Sequence, residues 1–455
     1  MIGRVEDKPL PREWTAVSLK AIVTKLVDGS HNPPSKRESG VPMLSARNIL
    51  NNQIAFEAHR LISEEDFERE HARTRISPGD VLLTIVGTIG RSAVVPASAK
   101  RFALQRSVAV ITPTGVLPKY LMYQFQSPFL QRHFEKNARG TAQKGVYLKT
   151  LGQTPILVAP LGQQELIVAE SEKQFSRLDE AVANLKRVKA NLKRYTAAVL
   201  KAAVEGKLTE DWRKQHPDLE PASKLLERIL AERREKWKGR GKYAEPSVPE
   251  TTDVPSLPKG WTWATVEQLS TVVRGASPRP AGDPRYFGGS IPWITVGPIT
   301  ADKKPYLTAV PETVTEEGKE RSRYIEPDTL LLTNSGATLG VPKITLIGGC
   351  INDGVAALLD VGHPLKLYLL YFLHTRTAHL RGVNQGAAQP NLNTSIIKAI
   401  NVPLPPHLEQ EQIVAEIERR LSVIEELEAA VEANLARAAR LRQSVLRHAF
   451  AGKLG

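Results

Sequence analysis

Asn32-Pro33-Pro34, within Asp28-Gly-Ser-His-Asn-Pro-Pro-Ser-Lys36, is the feature of this chain that most resembles an active site. An enzyme that methylates adenine uses such a tripeptide to hold the exocyclic amine, and an aromatic residue after it stacks on the extruded base. Here the next residue is Ser35. The glycine-rich turn that would hold S-adenosylmethionine at the end of a strand is also missing. Its nearest match, Gly239-Arg-Gly241-Lys-Tyr-Ala244, follows a charged helical stretch rather than a strand. The tripeptide therefore reads as a loop.

Other chemistries fare no better. Pro327-Asp328 has no Glu-x-Lys or Asp-x-Lys downstream in the same region, so an acidic nuclease metal site is not assembled on that pattern. Glu205-Gly-Lys207 sits at a helix end, and the later copy of that segment carries Ala451 in place of the glutamate. His31, His71 and His133 lack the spacing of metal ligands. The chain reads as non-catalytic, with no metal or cofactor of its own.

The elements around these residues are written twice. Leu10-Pro-Arg-Glu-Trp14 returns as Leu257-Pro-Lys-Gly-Trp261, and Ile76 to Thr84 returns as Ile325 to Thr333. From Gly140-Thr-Ala-Gln143, which matches Gly386-Ala-Ala-Gln389, a constant offset of 246 runs to Gly206-Lys-Leu208 and Gly452-Lys-Leu454. A duplication is the economical explanation. Each copy opens with short β-rich runs, VLLTIVG and LLLTNSG, punctuated by Gly, Pro and Asn. It closes on a long stretch that, from Gln163 or His407 onward, holds neither proline nor glycine until Gly206 or Gly452, where the helix should stop.

Within that stretch Leu178, Ala181, Leu185, Val188, Leu192, Tyr195, Val199 and Ala202 alternate spacings of three and four. The later copy gives Ile424, Leu427, Val431, Asn434, Ala438, Leu441, Val445 and His448. This is a coiled-coil stripe, on which Asn434 is expected to pair across the seam. The boundaries read as a first globular domain at 1–158, a long helix at 159–208, and a linker with one short helix at 209–256. A second domain at 257–404 and a second long helix at 405–455 follow. The fold class is α+β: two pseudo-repeated globular α/β domains joined by two long helices that form an antiparallel coiled coil.

Lys and Arg outnumber Asp and Glu by 62 to 48, a net charge of +14 that favours a polyanionic partner. One cysteine, Cys350, excludes an internal disulfide framework. The first residues, MIGRVEDKPLPREW, hold no signal-like apolar core, and no run of about 18 apolar residues exists to span a membrane. The expected setting is the cytoplasm.

Side chains that read base edges gather in the glycine-rich loops, where arginine and lysine suit guanine and asparagine and glutamine suit adenine. The DNA-binding candidates of the first half are Ser30, His31, Arg47, Asn48, Thr88, Arg91, Arg139, Gln143 and Lys144. Those of the second are Arg274, Arg279, Thr300, Asn334, Ser335, Thr338, Lys343, Gln385, Gln389 and Asn391. Taken singly, each is better explained as a solvated loop residue; the argument rests on the two sets.

In this order the features resemble the specificity subunit of type I restriction–modification systems. The resemblance rests on Leu10 to Trp14 and Leu257 to Trp261, on Pro78 to Leu83, and on Pro160 to Ala169 with Pro406 to Ala415. The Gly206-Lys-Leu-Thr-Glu-Asp-Trp-Arg213 junction adds to it. It implies two target-recognition domains, each reading one half of a bipartite asymmetric site on double-stranded DNA, with the helix pair as a ruler. About 45 helical residues give a rod of roughly 65 Å, enough to set two domains on major-groove segments ~34 Å apart. The resemblance further implies two modification subunits that bind S-adenosylmethionine, and restriction/translocase subunits that use ATP and Mg. Methylation and cleavage would then belong to those partners. The rival readings are a stand-alone DNA adenine methyltransferase and a non-catalytic coiled-coil adaptor or regulator.

Overall fold

The computed structural model describes residues 12–140, 143–237, 241–252, 254–382 and 391–453, with two short strands at Arg4–Val5 and Lys8–Pro9. The chain forms two compact units, Met1–Val188 with Ala430–Gly455, and Lys189–Ala429. Each unit thus takes one part of each long helix.

At the centre of the first unit is the run that the sequence repeats. Strand Val81–Thr84 is buried at all four positions and lies between Ser92–Val94 and Val108–Pro113, with Val23–Asp28 beyond, all antiparallel. Such a continuous apolar run has no polar face because both sides are covered. Val81 and Leu83 face one apolar cluster while Leu82 faces another, as the two-residue period of a strand requires. The second unit repeats the device. Thr329–Thr333 is buried throughout; Leu330 and Leu332 enter one cluster and Leu331 the other. It is the middle of a five-stranded sheet ordered Thr271–Arg274, Val355–Leu359, Thr329–Thr333, Pro342–Thr345, Tyr306–Leu307.

The repeated tryptophan and the strand after it close each unit onto its long helix. Thr15–Ser18 pairs antiparallel with Pro155–Val158, which leads into the helix Leu161–Val204. Thr262–Thr265 pairs in the same way with Asn401–Leu404, ahead of the helix His407–Ala449. Trp14 donates its indole N–H to Gln163 at 2.6 Å. The buried Gln164 accepts from the Leu117 N–H at 2.9 Å and donates to the Ala159 carbonyl at 2.8 Å, which fixes the start of the helix.

In the first unit the early part of the first helix meets the late part of the second. Phe175 and Leu178 join a cluster with Leu446, Ala449 and Phe450, and Arg442 covers the Phe175 ring at 4.4 Å while pairing with Asp179 at 2.6 Å. In the second unit the late part of the first helix, at Leu200, Ala203 and Val204, meets the early part of the second, at Ile413, Ile417 and Leu421. The helices therefore pair antiparallel.

The phase of the seam corrects half of the expected stripe. Leu192, Val199, Ile424, Val431 and Ala438 are buried, and Leu178, Leu185 and Val445 are half-buried. Asn434 and Leu441 are exposed, and the Asn434 amide donates to the Ala430 carbonyl of its own helix at 2.8 Å rather than across the seam. Ala181, Val188, Tyr195, Leu427 and His448 also face outward. The alternate seam positions fall one residue later, at Val182 and Thr196, and at Glu428, Leu435, Arg442 and Ala449.

The linker holds two helices, Glu210–Gln215 and Ala222–Glu235, where one was expected. Its proline-bearing stretch is irregular but pinned: Thr265 donates to the Ser247 carbonyl at 2.9 Å, and the Ser247 N–H donates to Glu267 at 3.1 Å. No helix among the described residues is long and apolar enough to cross a membrane.

Candidate nucleic-acid interface

Backbone hydrogen bonds gather the strand-end loops of the first unit. The Ser30 N–H donates to the Leu104 carbonyl at 2.7 Å and the Arg106 N–H to the Ser30 carbonyl at 2.9 Å. Gly29 allows this approach, since a Cβ there would stand 2.2 Å from the Leu104 oxygen. Ser107 accepts from the Ala46 N–H on its hydroxyl at 3.0 Å and from the Ile85 N–H on its carbonyl at 2.9 Å, tying the 45–48 turn to loop 84–91. Arg139 and Gly145 exchange backbone bonds at 2.9 Å, and the Gly87 N–H donates to the Lys144 carbonyl at 3.1 Å. His31, Arg47, Thr88, Arg91, Arg139, Gln143 and Lys144 are all exposed on this connected set.

The second unit is built the same way. The Gly275 N–H donates to the Val355 carbonyl at 2.9 Å as the Gly29 N–H donates to Val108 at 3.1 Å. The Asn334 N–H donates to Gly354 at 2.9 Å and the Leu392 N–H to Asn334 at 2.7 Å, repeating the bonds of Ile85. Thr84 and Thr333 each donate a hydroxyl proton within the following loop, to the carbonyls of Thr88 and Thr338. Arg274, Arg279, Thr338 and Asn391 are exposed and Ser335 is half-buried. Gln385 and Gln389 lie outside the described residues.

Four expected contacts are corrected, and a fifth is partly engaged within its own helix. Ser30 is buried under loop 104–106. Asn48 is buried, its amide donating to the Ala55 and Glu57 carbonyls at 3.0 and 2.9 Å. Asn334 is fully buried at a strand end. Lys343 is 2% exposed within strand Pro342–Thr345 and pairs with Asp302 at 2.6 Å. Thr300 donates to the Val296 carbonyl of its own helix at 3.0 Å. The first four side chains are buried and so not offered to a base edge, whereas Thr300 is half-buried.

Other residues join the face that sequence reasoning had left out. Arg106 is exposed beside Ser30. Arg323 donates to the Arg274 carbonyl at 2.9 Å, and Ser322 to that of Ala276 at 2.8 Å, which brings Arg321 and Arg323 alongside loop 274–279. The signal for Arg106 was its place just before a buried strand, next to a glycine crossing. Arg321 and Arg323 carry no such signal, since a separate strand brings them in.

Asn32 is exposed, and the two prolines after it share a partner within the chain. Arg60 donates to the Pro34 carbonyl at 2.6 Å and approaches that of Pro33 at 3.5 Å. Those carbonyls thus face a guanidinium of the same chain.

The family model for the type I restriction modification DNA specificity domain matches residues 11–194 and 258–436. The chain belongs to this family. The two matches fall on the two copies of the repeat, so this specificity subunit carries the domain twice. It is 28% identical to the type I restriction enzyme EcoBI specificity subunit of Escherichia coli over 49% of each chain, so that match spans about half of that relative. It is 23% identical to the EcoKI specificity subunit of Escherichia coli strain K12 over 98% of this chain and 90% of that one. A chain in a solved structure concerned with complex assembly and conformational transition of the type I R-M system shares its fold, with a TM-score of 0.66 and 21% identity over 98% of this chain and all of that one.

Proposed function

We propose that this specificity subunit reads a bipartite, asymmetric site on double-stranded DNA, one half through each unit, and positions separate methylating and cleaving subunits there. The single observation that carries the reading is the pair of equivalent loop arrays, built on the same backbone hydrogen bonds but exposing different side chains. Equal scaffolds with unequal reading residues suit a site whose halves differ.

The partners are two modification subunits that bind S-adenosylmethionine and restriction/translocase subunits that use ATP and Mg; the chain itself binds none of these cofactors. The engagement of the Pro33 and Pro34 carbonyls by Arg60 supports placing methylation elsewhere. Val188, Tyr195, Val423, Leu427 and Leu441 form outward apolar positions on the long helices and support docking of the modification subunits there. The helices, 44 and 43 residues long, are suited to set the spacer between half-sites.

The test is to express the chain with the products of its neighbouring genes and map methylated bases genome-wide. A two-part motif that appears only when this chain is present is the expected result. Methylation by the chain alone, or no motif with any partner, defeats the reading.

A further inference from the structure

The two units reverse a pair of charges at equivalent positions. Asp28 pairs with Ala109 across the sheet, and Arg274 with Ala356. The Val108 N–H donates to the Gln105 carbonyl as the Val355 N–H donates to Asn352, so Arg106 corresponds to Asp353. The first unit therefore has acid at 28 and cation at 106; the second has cation at 274 and acid at 353.

Each acid organises its neighbours. Asp28 is 7% exposed and holds His31 at 2.7 Å on one oxygen and Arg73 at 2.5 Å on the other. Asp353 accepts from the Ser277 hydroxyl at 2.6 Å and faces Arg279 at 3.6 Å, while its carbonyl accepts from Arg274 at 2.8 Å. Ser277, Arg279 and Asp353 line a recess of about 620 Å³ together with Phe287 and Trp293. A carboxylate on a surface that meets phosphates opposes binding, so affinity does not account for it. Orientation does: a side chain fixed before contact discriminates between bases better than a mobile one.

We propose that Asp28 and Asp353 are positioning residues for sequence reading, Asp28 aiming His31 and Arg73 at one half-site and Asp353 aiming Ser277 and Arg279 at the other. This rests on the bipartite reading above. Because Asp28 is the more buried and its ion pair with Arg73, at 2.5 Å, is shorter than the 3.6 Å between Asp353 and Arg279, the first half-site depends more on its carboxylate.

The experiment uses the chain assembled with its partner subunits and compares D28N and D353N with the unaltered complex. The probes are a duplex carrying the methylated motif, duplexes altered at one base in either half, and an unrelated duplex. D28N should bind the unrelated duplex about threefold more tightly, because a charge opposing the phosphates is gone. It should lose discrimination at one base of its own half by about tenfold, as losing one base-reading contact entails. Discrimination in the other half should stay unchanged, and D353N should give a smaller loss in its own half. D28E keeps the charge but displaces it, so it should lose discrimination without gaining affinity for the unrelated duplex. If cognate and unrelated binding fall together, or discrimination is intact in D28N and D353N, the proposal is overturned. An unaltered complex that recognises no bipartite motif overturns the parent reading instead.

Discussion

Trp261 donates its indole N–H to the fully buried Glu409 at 2.9 Å, where the first unit sets Trp14 on the neutral amide of Gln163. The carboxylate in the second unit is matched by groups from the central junction: the Thr209 hydroxyl at 2.6 Å and the Arg213 guanidinium at 3.0 Å. The Gly206 to Arg213 segment thus supplies the partners that make a buried charge tolerable. Removing one member of a buried pair leaves the other desolvated and alone.

Glu409→Ala should therefore destabilise the second unit by about 3–5 kcal/mol. Glu409→Gln keeps an acceptor for Trp261 but gives up the charge facing Arg213, and should fall between Ala and the unaltered chain. Urea unfolding followed by tryptophan fluorescence measures both. Equal midpoints for all three chains would show that the carboxylate carries no structural load.

The seam makes a contrast between neighbouring stripes. Ile424→Ala should cost about 2–5 kcal/mol as a buried truncation. Asn434→Ala and Leu441→Ala should stay within about 0.5 kcal/mol in the isolated chain. Leu441→Asp should instead weaken co-purification with the modification subunits. An Asn434→Ala chain as unstable as Ile424→Ala would return that residue to the seam.

The wrong half of the stripe has a physical cause. Each long helix carries two adjacent columns that share Leu178, Leu185, Leu192 and Val199, or Ile424, Val431, Ala438 and Val445. The outward column holds Val188, Tyr195, Leu427 and Leu441, while the inward one holds Thr196, Glu428 and Arg442. Apolarity alone selects the outward column, because the exposed face of these helices carries large apolar residues too. The duplicated central strands were legible because both their faces are buried and no such ambiguity arises. The candidate loops were legible as strand ends, but polarity was a poor guide to exposure within them. Lys343 pairs with Leu331 as Ala93 pairs with Leu82, so the repeat puts this lysine where the first copy has a buried alanine. Only the strand pairing reveals that correspondence. Asn48 likewise spends its amide on the turn that presents Arg47.

His374 gives the second unit a dependence on pH. Burial, and then the nearby ammonium of Lys343, lower its pKa from 6.5 to about 4. The folded value lies below the unfolded one, so stability is complete above about 6.5 and is lost as the pH falls toward 4. Urea midpoints between pH 7 and pH 4.5 should decline less in His374→Asn than in the unaltered chain. Parallel declines would assign the loss to other groups.

The exposed loop cations should act through phosphates, and the buried polar residues through stability. Each phosphate contact on duplex DNA steepens the dependence of log affinity on log salt by about 0.9. Arg91→Ala, Arg139→Ala and Lys144→Ala in the assembled complex should each flatten that slope by about 1 where the side chain meets a phosphate. Where it meets a base instead, the slope holds and discrimination at one base pair falls by about 1–3 kcal/mol. Asn48→Ala should leave slope and motif alone while lowering stability by about 1–3 kcal/mol, since the Ala55 and Glu57 carbonyls lose their donor. Fluorescence anisotropy at several salt concentrations, on cognate and single-base-altered duplexes, distinguishes the three behaviours. If all three cation variants change neither slope nor discrimination, Arg91, Arg139 and Lys144 do not face DNA.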